Sequence, residues 1–362
     1  MLENSKIDHY FLSANTPIGF ISRYEQICNA KDGTRAYILK GGPGTGKSHF
    51  INKVAKSVQA MGINFELLHC TSDNNCLDGI NIPSLKACVI DGTPPHNIEP
   101  KYPGVVETII NLGDCWNENK LFEEHDKIIL FASRINAFYD RAYRFLAAAS
   151  SLLNDSYRLT LECVEPLKIE RYAQRIAKRE ITPRRRQGHE TVRFLTGITP
   201  EGVICYKNNL ANYNKVFVIE DDFGLSRLLL AKLRSYALTA GYDVVSCYCP
   251  ISPNEKLEHL LIPSLSIAFV TSNHFHPFES KGYRHIHFRR FIDNDMIKLR
   301  RARIVFNRRA SRELVNESIK LLCEAKANYD ILKTIYSSVM DFDAVEKKAD
   351  ELIEKILKNK IS

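Results

Sequence analysis

Between a short apolar segment and an amphipathic one, the chain reads Gly41-Gly42-Pro43-Gly44-Thr45-Gly46-Lys47-Ser48. This run matches the pattern G-x-x-x-x-G-K-[ST], which sets a glycine-rich turn between a strand and a helix. Residues 36–40 before it are apolar, and residues 48–60 after it carry apolar side chains at helical spacing. Glycines allow backbone N–H groups to turn inward around an anion. The sequence therefore predicts a phosphate-binding loop within an α/β fold.

The positions of this phosphate loop (residues 41–48) have distinct expected roles. Backbone N–H groups cradle the phosphates, Lys47 neutralises the β- and γ-phosphates, and Ser48 ligates Mg²⁺. The positive end of the following helix attracts the anion further. We expect the nucleotide to contact residues 41–49, so the contact set ends at His49. No guanine-reading N-K-x-D motif is present in the sequence, which favours ATP.

A second apolar segment, residues 86–90, ends in Asp91. A carboxylate at the end of a strand beside the loop is expected to hold Mg²⁺. Gly92 follows, where many P-loop ATPases carry a glutamate that polarises the attacking water, so slow turnover is expected. Asp73 and His96 are alternative candidates for a general base. Each has a second interpretation, as a cap or a hydrogen-bonded structural side chain.

The chain is internally repeated. The run Ile82-Pro83-Ser84-Leu85 recurs at residues 262–265, and the pattern Thr-Pro-x-Gly of residues 16–19 recurs at residues 199–202. Ordered matches of this kind indicate duplication. We predict two tandem P-loop NTPase domains, residues 1–180 and 193–362, joined by a basic linker at residues 181–192. Each has a parallel sheet flanked by helices and an appended helical hairpin, at about residues 105–180 and about 281–362.

The second copy has lost the residues that bind a nucleotide. In the segment aligned with the phosphate loop, residues 221–228, Asp221 and Asp222 replace glycines and Leu228 replaces the metal-binding serine. Two carboxylates repel a triphosphate, and leucine cannot coordinate a metal. We expect no Mg-ATP at this degenerate loop. Arg227, or an arginine of residues 284–309, could instead act as an arginine finger on the first copy, or these arginines could form a solvated or ion-paired face.

The positive charge lies in the second half of the chain. Residues 1–180 carry 21 Lys/Arg and 21 Asp/Glu, whereas residues 181–362 carry 29 and 21. The densest basic stretch, residues 281–312, predicts a phosphorylated or polyanionic partner, and nucleic acid is an open alternative. Its cations are Lys281, Arg284, Arg289, Arg290, Lys298, Arg300, Arg301, Arg303, Arg308, Arg309 and Arg312.

No segment approaches the roughly 18 apolar residues that span a bilayer. The ten cysteines are scattered without a C-x-x-C pair, which favours neither a zinc site nor a disulfide framework. We expect a cytoplasmic protein with reduced thiols.

Several short motifs occur in a fixed order: Thr-Pro-x-Gly, the phosphate loop, a His-Cys-x-Ser-Asp-Asn run ending at Asn74, and Asp91-Gly92-Thr93-x-Pro95-His96. This order resembles a family of tandem P-loop ATPases from clostridia and bacilli. The resemblance covers nearly the whole chain and implies two P-loop NTPase domains and nucleotide binding, without naming a substrate. In that family the second copy commonly keeps an intact loop, and this chain departs from the family there.

Three functions are compatible with the sequence. The first is a slow or partner-stimulated Mg-dependent ATPase. The second is a kinase, because the phosphate loop followed by Asp91-Gly92-Thr93-Pro94 is similar to the GxPGxGK…DGxP arrangement of nucleoside monophosphate kinases. In those enzymes an arginine comes next, whereas here Pro95 and His96 do. The third is a nucleic-acid-binding module that uses the basic stretch.

Overall fold

Two six-stranded sheets organise the chain. The computed structural model describes residues 5–28, 30–278 and 282–358. The first sheet has the strand order β1-β5-β6-β7-β4-β8, and β2 and β3 form a separate hairpin. These strands are β1 (Ile7–Phe11), β2 (Ser13–Thr16), β3 (Gly19–Ser22), β4 (Arg35–Lys40), β5 (Phe65–His69), β6 (Leu77–Ile82), β7 (Ala87–Asp91) and β8 (Glu107–Asn111).

The second sheet repeats the topology of the first. Read from its β9 edge, the order is β9-β13-β14-β15-β12-β16, with β10 and β11 as the separate hairpin. Each strand thus occupies the place of its counterpart in the first half, as expected of a duplicated chain. These strands are β9 (Glu190–Arg193), β10 (Thr196–Thr199), β11 (Gly202–Cys205), β12 (Lys215–Glu220), β13 (Val244–Cys249), β14 (Ser252–Ile262), β15 (Ile267–Ser272) and β16 (Arg284–His287).

Both sheets are mixed, which corrects the prediction of parallel sheets. β6 pairs antiparallel with β5 and β7, and β14 pairs antiparallel with β13 and β15. The other pairs within the two sheets are parallel. The segment of β6 contains Asp78, Gly79 and Asn81, residue types that are depleted in strands, so its pattern does not indicate one.

Helices flank the sheets, and the two longest lie side by side. α3 and α6 pack along each other through small and apolar side chains such as Ala142, Ala149 and Leu322. No helix in the described part of the chain is both long and apolar enough to cross a membrane. The helices are α1 (Lys47–Ala60), α2 (Glu118–Glu123), α3 (His125–Leu161), α4 (Pro166–Glu180), α5 (Ser226–Thr239), α6 (Asn294–Ser337) and α7 (Phe342–Lys358).

The two copies exchange their last helices. α4 belongs to the first copy in sequence, but its apolar face (Ile169, Ala173 and Ile176) joins the core around α5. α7 belongs to the second copy, but Val345 and Leu352 join the core around α1. The predicted hairpins therefore differ from the structure: α3 pairs with α6, and the helix that follows each packs on the opposite half. The boundaries predicted at residues 180 and 193 divide the repeats but not the packed units.

Backbone contacts between the copies occur in matched pairs. Phe11 N donates to Phe194 O at 2.9 Å, and Phe194 N donates to Phe11 O at 3.1 Å. Near the exchanged helices, Asn117 N donates to Val339 O at 3.0 Å and Asp293 N donates to Cys163 O at 2.8 Å, with both partners offset by 176 residues. Reciprocal contacts are the signature of a two-fold interface. The copies are thus arranged like the subunits of a symmetric dimer.

The linker is shorter than the predicted residues 181–192, because β9 begins at Glu190. Two of its arginines contact the loop after α5. Arg186 pairs with Asp243 at 2.5 Å, and the Arg184 guanidinium lies 4.1 Å from the ring centre of Tyr242. The linker is therefore fixed onto the second half.

Candidate functional site

The phosphate loop joins the end of β4 to the first turn of α1. Gly44 and Gly46 have φ values of 73° and 87°, a region that side chains disfavour. Thr45 Oγ1 donates to the Gly42 carbonyl at 2.9 Å. α1 begins directly after Gly46, so its unpaired N–H groups lie at the loop. The loop thus lies at a helix N-terminus, where backbone N–H groups can bind an anion.

Lys47 is buried in the centre of this loop. Its Nζ donates to the carbonyl oxygens of Gly41 and Gly42, at 2.9 and 2.7 Å. It also lies 3.7 Å from Asp91 Oδ2. An ammonium group has three donors and no acceptor, and phosphate oxygens can replace these carbonyls as its partners. The structure therefore places Lys47 where the sequence predicts a phosphate-binding cation.

Ser48 and Asp91 line the same cavity at the carboxyl edge of the sheet. The parallel register of β4 and β7 sets Leu39 beside Asp91, which brings the carboxylate next to the loop. Asp91 Oδ1 accepts from the N–H and the hydroxyl of Thr93, at 2.9 and 2.5 Å. Ser48 Oγ accepts from the Leu77 N–H at 2.9 Å. A hydroxyl and a carboxylate are the oxygen ligands that Mg²⁺ prefers, so this pair fits the predicted metal.

Gly92 is a glycine because of the packing beneath it. A Cβ atom at this position would lie 2.2 Å from Ile38 Cγ2 in the adjacent strand. A side chain at this position therefore requires the Ile38 side chain to move. The packing of Ile38 against Gly92 thus disfavours the water-polarising glutamate at this position.

A cavity of about 710 Å³ opens from the phosphate loop. We call it the nucleotide cavity, after the ligand that the sequence predicts for it. Its walls are the phosphate loop, the segments that follow β5 and β7, and faces of α3 and α6. The sequence-predicted residues Lys47, Ser48, Asp73, Asp91 and His96 all line it. The fold thus brings into one cavity residues that are up to 49 positions apart in the chain.

His96 lies in the nucleotide cavity as half of a buried ion pair. Its Nε2 is 3.2 Å from Asp78 Oδ2, and both side chains are 6% exposed. Burial alone would lower the pKa of His96, but the Asp78 carboxylate reverses this and the net pKa is raised. Burial would raise the pKa of Asp78, but the charge of His96 and the hydrogen bonds to the carboxylate outweigh burial, and the net pKa is lowered. Because His96 Nε2 already faces the Asp78 carboxylate, the structure disfavours the general-base role for His96.

The His96–Asp78 pair gives a pH-dependent stability. The pair stabilises the fold fully above the ordinary pKa of Asp, 3.8, and below that of His, 6.5. Its contribution is lost as the pH rises through the raised pKa of His96. Asp78→Asn is expected to cost about 3 kcal/mol in urea unfolding at pH 5.5 and less at pH 9. Asp114→Asn, at an exposed carboxylate, serves as the control; equal losses for Asp78→Asn at both pH values would refute the ion pair.

Asp73 is held by cations that come from α6. Its Oδ2 lies 2.9 Å from Lys333 Nζ and 3.8 Å from Lys326 Nζ. Burial would raise the pKa of Asp73, but the Lys333 ammonium outweighs burial and lowers it. A carboxylate with a lowered pKa is a weak base. Asp73, the other candidate base, therefore lies in the cavity, but its carboxylate is already paired with Lys333.

His49 lines the cavity, but its imidazole pairs with a residue of α7. Its Nε2 pairs with Glu346 of α7 at 2.6 Å, and its side chain is 69% exposed. The nucleotide contact predicted for His49 stays a prediction. Its imidazole contributes to the junction between α1 and the exchanged helix.

The degenerate loop (residues 221–228) supplies its own anion. Asp221 Oδ2 accepts from the Ser226 N–H at 2.6 Å, and Oδ1 accepts from the Phe223 N–H at 2.9 Å. Two cavities border this loop: one measures only about 50 Å³, and the other, of about 410 Å³, is lined by Asp221 and Asp222 together with Arg289. The carboxylate takes the donors that a phosphate would need, which agrees with the predicted loss of nucleotide binding.

A buried polar cluster in the second half is no convincing metal site. Glu258, His259 and His276 place ligand atoms within 4.8 Å of one another. However, the Thr271 N–H donates to His259 Nδ1 at 3.2 Å, which puts the ring hydrogen on Nε2, and Lys256 Nζ lies 2.8 Å from Glu258. A protonated nitrogen cannot coordinate a metal, and the lysine already neutralises the carboxylate. We interpret the cluster as a buried group of ion pairs and hydrogen bonds, in which Glu258 Oε2 and His276 Nδ1 have no hydrogen-bond partner.

The described arginines of the basic stretch do not line the nucleotide cavity. Arg303 forms two hydrogen bonds to Asp155, at 2.6 and 2.8 Å, and Arg300 pairs with Glu162. Arg227 stacks 3.9 Å from the ring centre of Tyr157. Lys281 lies outside the described residues. No arginine of the described ranges lines the cavity, so the arginine finger is not supported, and a polyanionic or nucleic-acid partner stays a prediction.

Sequence reasoning missed several cavity residues. Lys333, Tyr329 and Tyr336 come from α6, and no local pattern connects them to the phosphate loop. The role of Asp78 could have been predicted from the internal repeat, because Asp78 and His96 recur as Glu258 and His276 at an offset of 180 residues. A carboxylate–histidine pair repeated with the domain indicates a shared structural role.

Comparison with known proteins gives no match: no family model, no curated protein and no solved structure is similar to the chain. The resemblance to tandem P-loop ATPases therefore stays a prediction.

Proposed function

We propose that the chain is an ATP-binding P-loop NTPase that hydrolyses Mg-ATP slowly at one site in its first half. The observation that carries this proposal is the phosphate loop itself, with Lys47 3.7 Å from Asp91, open to the nucleotide cavity. The cavity volume of about 710 Å³ suits a small-molecule ligand. The degenerate loop takes no part in binding.

The proposed roles follow from the contacts. The loop N–H groups and Lys47 bind the phosphates and stabilise negative charge on the transferred group. Ser48 and Asp91 would hold Mg²⁺, which would supply positive charge that neutralises the phosphates. Phosphoryl transfer passes through a loose transition state, so positioning and charge provide most of the catalysis. Asp73 and His96 are both ion-paired and cannot readily activate water. Slow turnover is the consequence.

A kinase is the second candidate, and one observation favours it. The wall of the nucleotide cavity away from the loop is apolar and aromatic, with Ile135, Tyr139, Tyr329 and Leu332. Such a wall suits the body of a second small molecule, or the base of the nucleotide, better than it suits bulk water. An acceptor bound there would receive the γ-phosphoryl group in place of water.

The fate of the γ-phosphate separates the two candidates. With γ-labelled ATP and Mg²⁺, we expect label in inorganic phosphate without any acceptor, at a rate below about 1 s⁻¹, the low end for enzymes. A small-molecule cell extract tests the kinase, because label would then move to a metabolite. Label that stays in ATP under both conditions would contradict both candidates.

A further inference from the structure

The second half of the chain reaches the phosphate loop through α6. A Cβ atom on Gly44 would lie 2.3 Å from the Lys333 carbonyl oxygen, and one on Gly42 would lie 2.6 Å from the Tyr336 ring. Only glycine at both positions allows this approach. The C-terminal part of α6 therefore packs directly on the loop that the proposed nucleotide would occupy.

Lys333 is the cation that α6 brings to this site. Among the described residues that line the nucleotide cavity, only Lys47 and Lys333 carry a permanent positive charge. Lys333 Nζ bonds to Asp73 at 2.9 Å, and its side chain is 31% exposed. Lys47 is held deep in the loop by backbone carbonyls. A flexible lysine beside the loop is free to change partners, because its four-carbon stem rotates easily.

The second copy provides an internal comparison. The reciprocal backbone contacts relate α6 to α3 by an offset of 176 residues. Lys333 therefore corresponds to Tyr157, whose ring stacks on Arg227 of the degenerate loop. The cation thus occurs over the loop that keeps its lysine and serine, and a neutral aromatic residue stands over the loop that lost them.

We propose that Lys333, supplied by the second half, leaves Asp73 and binds the γ-phosphate of ATP held on the phosphate loop. The inference rests on the proposed function. A triphosphate carries more negative charge than the single carboxylate of Asp73, so it is the stronger partner for the ammonium group. In ADP the γ-phosphate is missing, and Lys333 stays with Asp73. The second copy is thereby a structural part of the active site although its own loop is inactive.

The test compares Lys333→Met with wild type in nucleotide binding and turnover. We expect turnover at saturating ATP to fall at least about ten-fold, a modest part of what a transition-state cation contributes. The affinity for ADP should stay within about two-fold of the wild-type value, because ADP lacks the γ-phosphate. The ratio of ATP affinity to ADP affinity should therefore fall. Lys333→Arg should restore part of the turnover. Lys320→Met is the matched control, because Lys320 is an exposed lysine of the same helix that pairs with Glu317.

A further variant separates loss of the cation from damage to Asp73. Lys333→Met leaves the Asp73 carboxylate without its nearest partner, whereas the double change Lys333→Met with Asp73→Asn removes that charge. The inference predicts that the double variant stays slow. Recovery of turnover in the double variant, or wild-type turnover and ATP preference in Lys333→Met, would overturn it. If wild type binds no ATP in a Lys47-dependent way, the proposed function fails as well.

Discussion

Replacing Lys47 by alanine should abolish ATP binding at micromolar concentrations and remove turnover. The lysine contributes charge-assisted hydrogen bonds to phosphate, each worth about 1.5–3 kcal/mol. Loss of two such bonds lowers the affinity at least about 100-fold, because about 1.4 kcal/mol corresponds to a factor of ten. Titration with a fluorescent ATP analogue measures the affinity, and phosphate release measures the turnover.

The matched control for Lys47→Ala is Lys56→Ala. Lys56 lies on the same helix, is exposed, and does not line the nucleotide cavity. It should bind ATP like wild type. Circular dichroism of both variants verifies the fold. If Lys47→Ala kept wild-type affinity while folded, the phosphate loop would not be the nucleotide site.

Leu352→Ala should destabilise the protein by about 2–4 kcal/mol, the usual cost of truncating a buried leucine. Leu352 is 4% exposed and belongs to the core that α7 forms with α1 and the first sheet. Guanidinium unfolding measures the loss. Because α7 covers the first half, hydrogen exchange should speed up in α1 and not in α5.

Leu167→Ala is the corresponding control on the other exchanged helix. Leu167 of α4 is 69% exposed, so its truncation should change stability by less than about 0.5 kcal/mol. Faster exchange in α5 after Leu352→Ala, with α1 unaffected, would show that α7 packs on its own copy and would contradict the exchange of helices.

The parts of the fold that the sequence predicts are local. The phosphate loop is recognisable because its glycines and Lys47 match a known motif within eight consecutive positions. Asp91 follows from the rule that carboxyl ends of parallel strands meet at one edge, and the register of β4 and β7 satisfies it. The duplication is visible because the repeated runs keep their order.

The parts that the sequence does not predict depend on contacts between distant segments. The polar residues of β6 do not predict a strand, yet β6 forms one because it pairs antiparallel with β5 and β7. The apolar stripes of α4 and α7 indicate that each helix packs on something, but not on which copy. Lys333 is 286 positions from Lys47, and only the pairing of α3 with α6 brings it to the loop.

The exchange of α7 also sets an order for biosynthesis. α1 ends at Ala60 and the helix that covers it begins at Phe342. At synthesis rates of about 5–20 residues per second, the apolar surface of α1 stays uncovered for on the order of tens of seconds until α7 is synthesised. Until then the nascent first half also lacks the α6 wall beside its phosphate loop. The first half can therefore mature only after the second half has been translated, and chaperones have that interval in which to bind the uncovered surface.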